Sequence, residues 1–191
     1  MQYECEQVIQ KELGPHEKLI WTGKPKQGIM FRSNDIFLIP FSIFWMGFVI
    51  FWEITAITTA LNAPEKSESA AFILPIFGIP FVIIGLYFVF GRFIIDAKRR
   101  KNTYYGITNE RIIIISGLFR KKIKSLNIKT LSDISLTEKT NRYGTIYFGP
   151  INPFIWWYAG IWPEMEITPM FEMIPNAKEV YDQIRKIQRE N

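Results

Sequence analysis

Residues 101–119 read KNTYYGITNERIIIISGLF, and the fold turns on how this stretch is interpreted. The runs TYYGIT and RIIIISG are rich in β-branched and aromatic side chains, and Asn109 and Glu110 separate them. Two such runs around a two-residue break holding Asn predict an antiparallel hairpin of a β-domain. Yet the hairpin follows closely on AAFILPIFGIPFVIIGLYFVFGRFIID, Ala70 to Asp96, which is uncharged until Arg92.

Upstream lies a second apolar block, IFLIPFSIFWMGFVIFWEITAITTAL, Ile36 to Leu61, with Glu53 as its one ionisable residue. A helix needs about 20 apolar residues to cross a bilayer core of about 30 Å, and each block is long enough. NAPEKSES, Asn62 to Ser69, is a short polar turn, so the blocks are expected to form an antiparallel hairpin over 36–96, with spans at about 36–60 and 71–95 and an external turn at 62–69. Lys24, Lys26 and Arg32 precede the first span, and Lys98, Arg99, Arg100 and Lys101 follow the second. The positive-inside rule then puts both termini in the cytoplasm, in a multi-pass protein of the inner membrane. Pro75 and Pro80 are expected to bend the second span. Glu53 lies about 26 Å along a helix from Ile36, at about 1.5 Å per residue, near the far interface where a carboxylate can reach water. No small-xxx-small pair marks how the helices pack.

Working downstream, Leu118 to Lys129 reads as a basic strand, LSDISLTEKT as another, Asn141–Gly144 as a turn, TIYFG as a strand, and Glu164 to Ile174 as a further strand. At the end, Val180, Tyr181, Ile184 and Ile187 fall at helical spacing and give one apolar face. Short strands closed by one amphipathic helix predict a small barrel or bent sheet sealed by that helix. EKLIWTGKP near the N-terminus also reads as strand and turn. Residues 1–35 therefore form an N-terminal cytoplasmic segment able to return and pair with the domain of 97–191, which would make the spans an insertion.

These stretches resemble a family. LGPHEKLIWTGKP, an apolar hairpin, YYGITNERIIIISG, SLNIKTLSDISL and GTIYFG occur in the order seen in the bacterial pleckstrin-homology-like membrane proteins. Tyr105, Ile107, Thr108, Arg111, Ile112 and Ile113 form the recognisable core, and FEMIPNAKEVYDQI is similar to the family's closing strand and helix. The resemblance implies an α+β membrane protein: a two-helix transmembrane hairpin plus a pleckstrin-homology-like β-roll of about seven strands closed by a C-terminal helix. It brings no catalytic set, and function has to be argued from sites. Phosphoinositide binding in such domains uses spaced Lys and Arg between the first two strands. With Asn109–Glu110 taken as that turn, Arg111 stands there alone, and the headgroup motif is missing.

No catalytic, cofactor or metal set is legible. His16-Glu17 lacks a second histidine at Ile20, no phosphate loop or G-x-S-x-G occurs, and Cys5 cannot form an internal disulfide. The non-random feature is charge. Asp96 to Arg142 holds twelve basic and four acidic residues, a surplus of eight in a chain whose net charge is +5. Lys98, Arg99, Arg100 and Lys101, together with Arg120, Lys121, Lys122 and Lys124, are the candidate lipid contacts; topology setting and a solvated strand face are the plainer readings of the same charges. Trp156, Trp157, Tyr158 and Trp162 are a candidate docking loop, since such aromatics enrich interfaces. Packing beneath the barrel would explain them equally. The expected partners are the lipid bilayer and, as candidates, anionic phospholipid, a protein or a second copy; membrane tethering and the lack of a stacking array argue against nucleic acid. The expectation is a non-catalytic binding or scaffold module at the cytoplasmic face. The alternative is an accessory subunit of a transporter or envelope-stress system that acts through its hairpin.

Overall fold

A computed structural model describes residues 2–64, 71–118, 120–150 and 168–190. The chain divides into two units, residues 1–30 with 95–191, and residues 31–94.

In the first unit, helix α1 (Gln2–Gln10) precedes strand β1 (Leu19–Gly23). Strands β2 (Tyr104–Thr108), β3 (Arg111–Ser116) and β4 (Lys122–Asn127) follow the second apolar segment. These four make one antiparallel sheet in the order β1-β2-β3-β4. Strands β5 (Ile134–Glu138), β6 (Tyr143–Phe148) and β7 (Met170–Pro175) make a second sheet. The expected hairpin is present, with Tyr105 opposite Ile114 and Ile107 opposite Ile112. It joins the second and third strands. The N-terminal strand returns to pair with β2, Trp21 standing opposite Ile107. The connection between the first two strands is therefore the whole stretch 24–103, and the Asn109–Glu110 turn, where the headgroup motif was sought, joins the second and third strands instead.

The amphipathic C-terminal helix (Ala177–Glu190) lays Ala177, Val180, Ile184 and Ile187 against the inner faces of both sheets. Phe171 is the centre of that core. Its ring stacks on Tyr105 at 4.6 Å and on Trp21 at 5.5 Å, and meets Phe148 edge-on at 5.0 Å. The expected closed roll is not formed: the described residues hold two sheets. A 3₁₀ turn (Ile128–Thr130) separates β4 from β5, and a bulge at Met173, φ 47°, interrupts β7. The helix seals the core where further strand pairing would have done so. Two boundaries also shift. β6 already begins at Tyr143, inside the expected turn, and β7 begins at Met170, with 164–167 outside the described residues.

All four isoleucines of β3 are buried, which a sheet with one wet face does not allow. Ile112 and Ile114 enter the main core, while Ile113 and Ile115 face the other way and are covered by Ile9 of α1. Gly106 makes room for that helix, since a Cβ there would lie 2.7 Å from the Ile9 Cγ2.

The second unit contains two long apolar helices. Helix α2 is Asp35–Leu61, and α3 is Ile73–Leu86. α3 runs on through a π-helical turn (Tyr87–Gly91) into α4 (Arg92–Lys101). Pro80 lies inside α3, and the irregular turn falls at 87–91, beyond both prolines. The helix packing does have a sequence mark. Pro75, Gly78 and Gly85 are the buried positions of α3, and the two glycines, seven residues apart, accept Glu53 and Met46 of α2. Glu53 is thus turned onto α3: its Oε2 is enclosed and meets no hydrogen-bond partner among the described residues. Asp35 and Arg92 form a buried ion pair of 2.6 Å, and the Arg92 Nε donates to the Phe88 carbonyl.

Candidate functional site: the basic end of the first sheet

The strand registers place the two basic clusters together. Gly23 stands opposite Tyr105, Tyr104 opposite Ile115, Ile115 opposite Ile123, and Ser116 opposite Lys122. One end of the first sheet therefore carries the start of β4 and the residues just before β2, where α4 ends. Lys98 and Lys101, from α4, and Arg120, Lys121 and Lys122, from the approach to β4, are exposed there. Lys24, just after β1 and largely buried, lies beside them: its ammonium lies 4.1 Å from the Tyr104 ring centroid and 3.0 Å from the Glu4 carboxylate. The sequence reading did not select Lys24, because only the return of β1 brings it here. The Lys24 ammonium and the Tyr104 hydroxyl both donate to Glu4 and hold its carboxyl below the usual range.

The cluster at 98–101 divides by helix face. Arg100 is buried; its Nη1 and Nη2 donate to the carbonyls of Lys26 and Gly28 at 3.1 and 2.7 Å, and it pairs with Asp96 at 3.0 Å. Arg99 also turns inward, to Asp96 at 3.1 Å and Glu172 at 3.8 Å. Beside them the Glu172 amide donates to the Tyr105 hydroxyl, and burial pushes that phenol upward. These two arginines are structural: they fasten the segment after β1 and strand β7 to the end of α4. The strand cluster also divides. Lys121 pairs with Glu12. Lys122 and Lys124 lie on an edge strand, where lysines commonly block edge-to-edge association. The docking loop, Trp156, Trp157, Tyr158 and Trp162, lies outside the described residues.

At the opposite end of the sheet, the family-like residues act as a lock. Thr108 accepts the amides of Glu110 and Arg111 at 3.2 and 3.0 Å and donates to Glu17 at 2.7 Å. Arg111 grips Glu17 bidentately, through Nε at 2.8 Å and Nη2 at 2.9 Å, and its Nη2 also donates to the Glu12 carbonyl. The Arg111 guanidinium, first among its donors, lowers the Glu17 carboxyl to about 2. The pair ties the chain ahead of β1 to the β2–β3 hairpin. Arg111 is not available to a ligand through these groups. Cys5, on α1, is buried, and desolvation raises its thiol and disfavours the thiolate a nucleophile needs.

A family described as the bacterial PH domain matches residues 43–188, a span that takes in most of the apolar hairpin and strands β2 to β7. No curated protein and no solved structure matches the chain.

Proposed function

Because the chain belongs to the bacterial PH domain family, we propose that it is a membrane-anchored, non-catalytic binding module. In this reading α2 and α3 cross the inner membrane and hold the β-domain at the cytoplasmic face. One observation carries the anchoring: the long apolar helices keep most of their surface out of the protein's own core. Phe37 and Phe44 are 75% exposed, Phe51 is 70% exposed and Ile76 64%. Apolar surface on that scale needs hydrocarbon or a partner around it. A core helix of a soluble protein would be enclosed. The candidate ligand surface is the basic end of the first sheet, directly after α4. There Lys98, Lys101 and Arg120 meet anionic headgroups, each contributing about 1 kcal/mol. Arg99 and Arg100 hold the segment that presents them.

Reconstitution into nanodiscs of neutral lipid mixed with phosphatidylglycerol tests the surface. The wild-type chain is expected to enrich the anionic lipid around itself, less so as salt rises. A K98Q/K101Q/R120Q variant is expected to lose that enrichment while keeping its melting temperature. Equal enrichment in both would refute the assignment.

A further inference from the structure

Helix α2 and the residue after it, 35–62, read as four sevens: DIFLIPF, SIFWMGF, VIFWEIT and AITTALN. The first residues of the sevens (Asp35, Ser42, Val49 and Ala56) are buried. They share the side of the helix on which Asp35 meets Arg92, Met46 meets Gly85 and Glu53 meets Gly78. A repeat of seven with this face explains the pairing of α2 with α3. It does not explain the opposite face. All five phenylalanines of α2, at 37, 41, 44, 48 and 51, fall there at alternating spacings of four and three, the spacing of a second coiled-coil seam. Each is at least 52% exposed.

A straight helix drifts by about 20° per seven residues, so side chains that only face lipid have no reason to hold a strict repeat. A packed helix gives such a reason. The seam is also continuous with the packing already present. Rings run from Phe41 to Trp45 at 6.2 Å, from Trp45 to Phe81 of α3 at 6.4 Å, and from Phe81 to Phe77 at 5.4 Å. Resting on the membrane reading above, we infer that this phenylalanine seam is an interface for α2 of a second copy of the chain. Two copies inserted with the same topology present the seam in parallel, about an axis along the membrane normal. An isologous pair of this kind sets each seam residue against its own counterpart. Phe44 faces Phe44, and Phe48 faces Phe48. The rings supply area and offset stacking, which is what helix pairs rely on where lipid is as apolar as the side chains.

The test uses the full chain in native membranes, with Cys5→Ser as background and one cysteine placed at a time. Oxidation is expected to give a covalent dimer at F41C, F44C and F48C several-fold more strongly than at I76C and I83C on the exposed face of α3. Light scattering in mild detergent provides the second measurement. The parent chain is expected at twice its own mass, and F44L/F48L at a reduced dimer fraction with its melting unchanged. A parent chain of monomeric mass, or cross-linking with no preference for the seam, overturns the pair. Carbonate washing separates the two readings: if the chain stays with the membrane while the seam fails, the interface is wrong and the anchor stands. If carbonate releases the chain, both fall.

Discussion

Replacing Glu17 with Gln keeps the shape of the side chain and removes the charge that Arg111 grips. In the native chain four donors converge on that carboxylate: Arg111 Nε and Nη2, the Thr108 hydroxyl and the Gly14 amide at 2.9 Å. The Glu17 side chain is only 4% exposed. Its carboxyl falls from an ordinary 4.5 to about 2. A depressed acid stabilises the fold above the pKa of the unfolded chain, and the contribution is lost as pH falls through the folded value. The window is therefore about pH 4.5 down to about 2. At about 1.4 kcal/mol per unit the shift corresponds to roughly 3 kcal/mol. Arg111 is 33% exposed, so solvent screening lowers this to about 2 kcal/mol. For a chain of this size that is a fall of roughly 5 °C in melting midpoint. The assay is thermal unfolding of the full chain in micelles, followed by the β-sheet circular dichroism signal at pH 7 and near pH 2. E17Q is expected to melt lower at pH 7 and to converge on the parent at pH 2, where the parent's own carboxyl takes up its proton. E17L/R111M is expected to recover part of the loss, because it leaves no unpaired charge. Equal midpoints at pH 7, or a difference undiminished at pH 2, would refute the reasoning.

Two contrasts test the packing in the same way. Arg100→Ala removes the buried donor to two carbonyls and one of the cations on Asp96 and is expected to cost about 3 kcal/mol, whereas Lys101→Ala, one residue on and exposed, is expected to stay within about 0.5 kcal/mol. Thermal melting of the two variants checks this. In the apolar hairpin, Gly78→Ala would drive a methyl into the Glu53 carboxyl and is expected to cost about 1–3 kcal/mol. Gly85→Ala is crowded chiefly by the Met46 sulfur at 2.7 Å, on a flexible side chain, and should cost less. Resistance to unfolding in sodium dodecyl sulfate ranks them, and E53A/G78A should regain what G78A loses.

The parts of the fold that announce themselves locally were legible. The β2–β3 hairpin follows from two β-branched runs around Asn109, the closing helix from Val180, Ile184 and Ile187, and the paired apolar helices from their length. What was not legible depends on partners far off in the chain. Four basic residues in a row do not say which of them turns inward. Arg100 does so because Lys26 and Gly28, more than seventy positions earlier, offer carbonyls, and Arg99 because Glu172 lies beside it. Glu17 carried no signal at all, being separated from Arg111 by 94 residues. Two marks were present without being used. A strand reading I-I-I-I has no wet face, which foretells a cover such as α1. The sevens of α2, with Gly78 and Gly85 on α3, foretell the helix seam.

The position of β1 ties these observations together. Sheet pairing between β1 and β2 joins residues on either side of the entire apolar hairpin. The first sheet therefore lacks a strand, and Ile113 and Ile115 lack their α1 cover, until 24–103 has been made and its ends brought side by side. Closing a loop that long adds little entropy beyond a loop half its length, because the cost grows only with the logarithm of length. The larger requirement is that the ends meet. Within the β-domain, Arg100 meets it by fastening Lys26 and Gly28 to α4; within the hairpin, Asp35 and Arg92 pair across the base of the two helices. Both contacts are buried: Arg100 reaches the carbonyls of the chain ahead of the hairpin by hydrogen bonds, and the Asp35–Arg92 ion pair joins the hairpin's two ends. Buried pairs of this kind stabilise weakly in net terms but are costly to break. That suits them to fixing one arrangement of the chain ends over others, and it explains why the charges concentrated at the end of the apolar hairpin are in part committed to the fold.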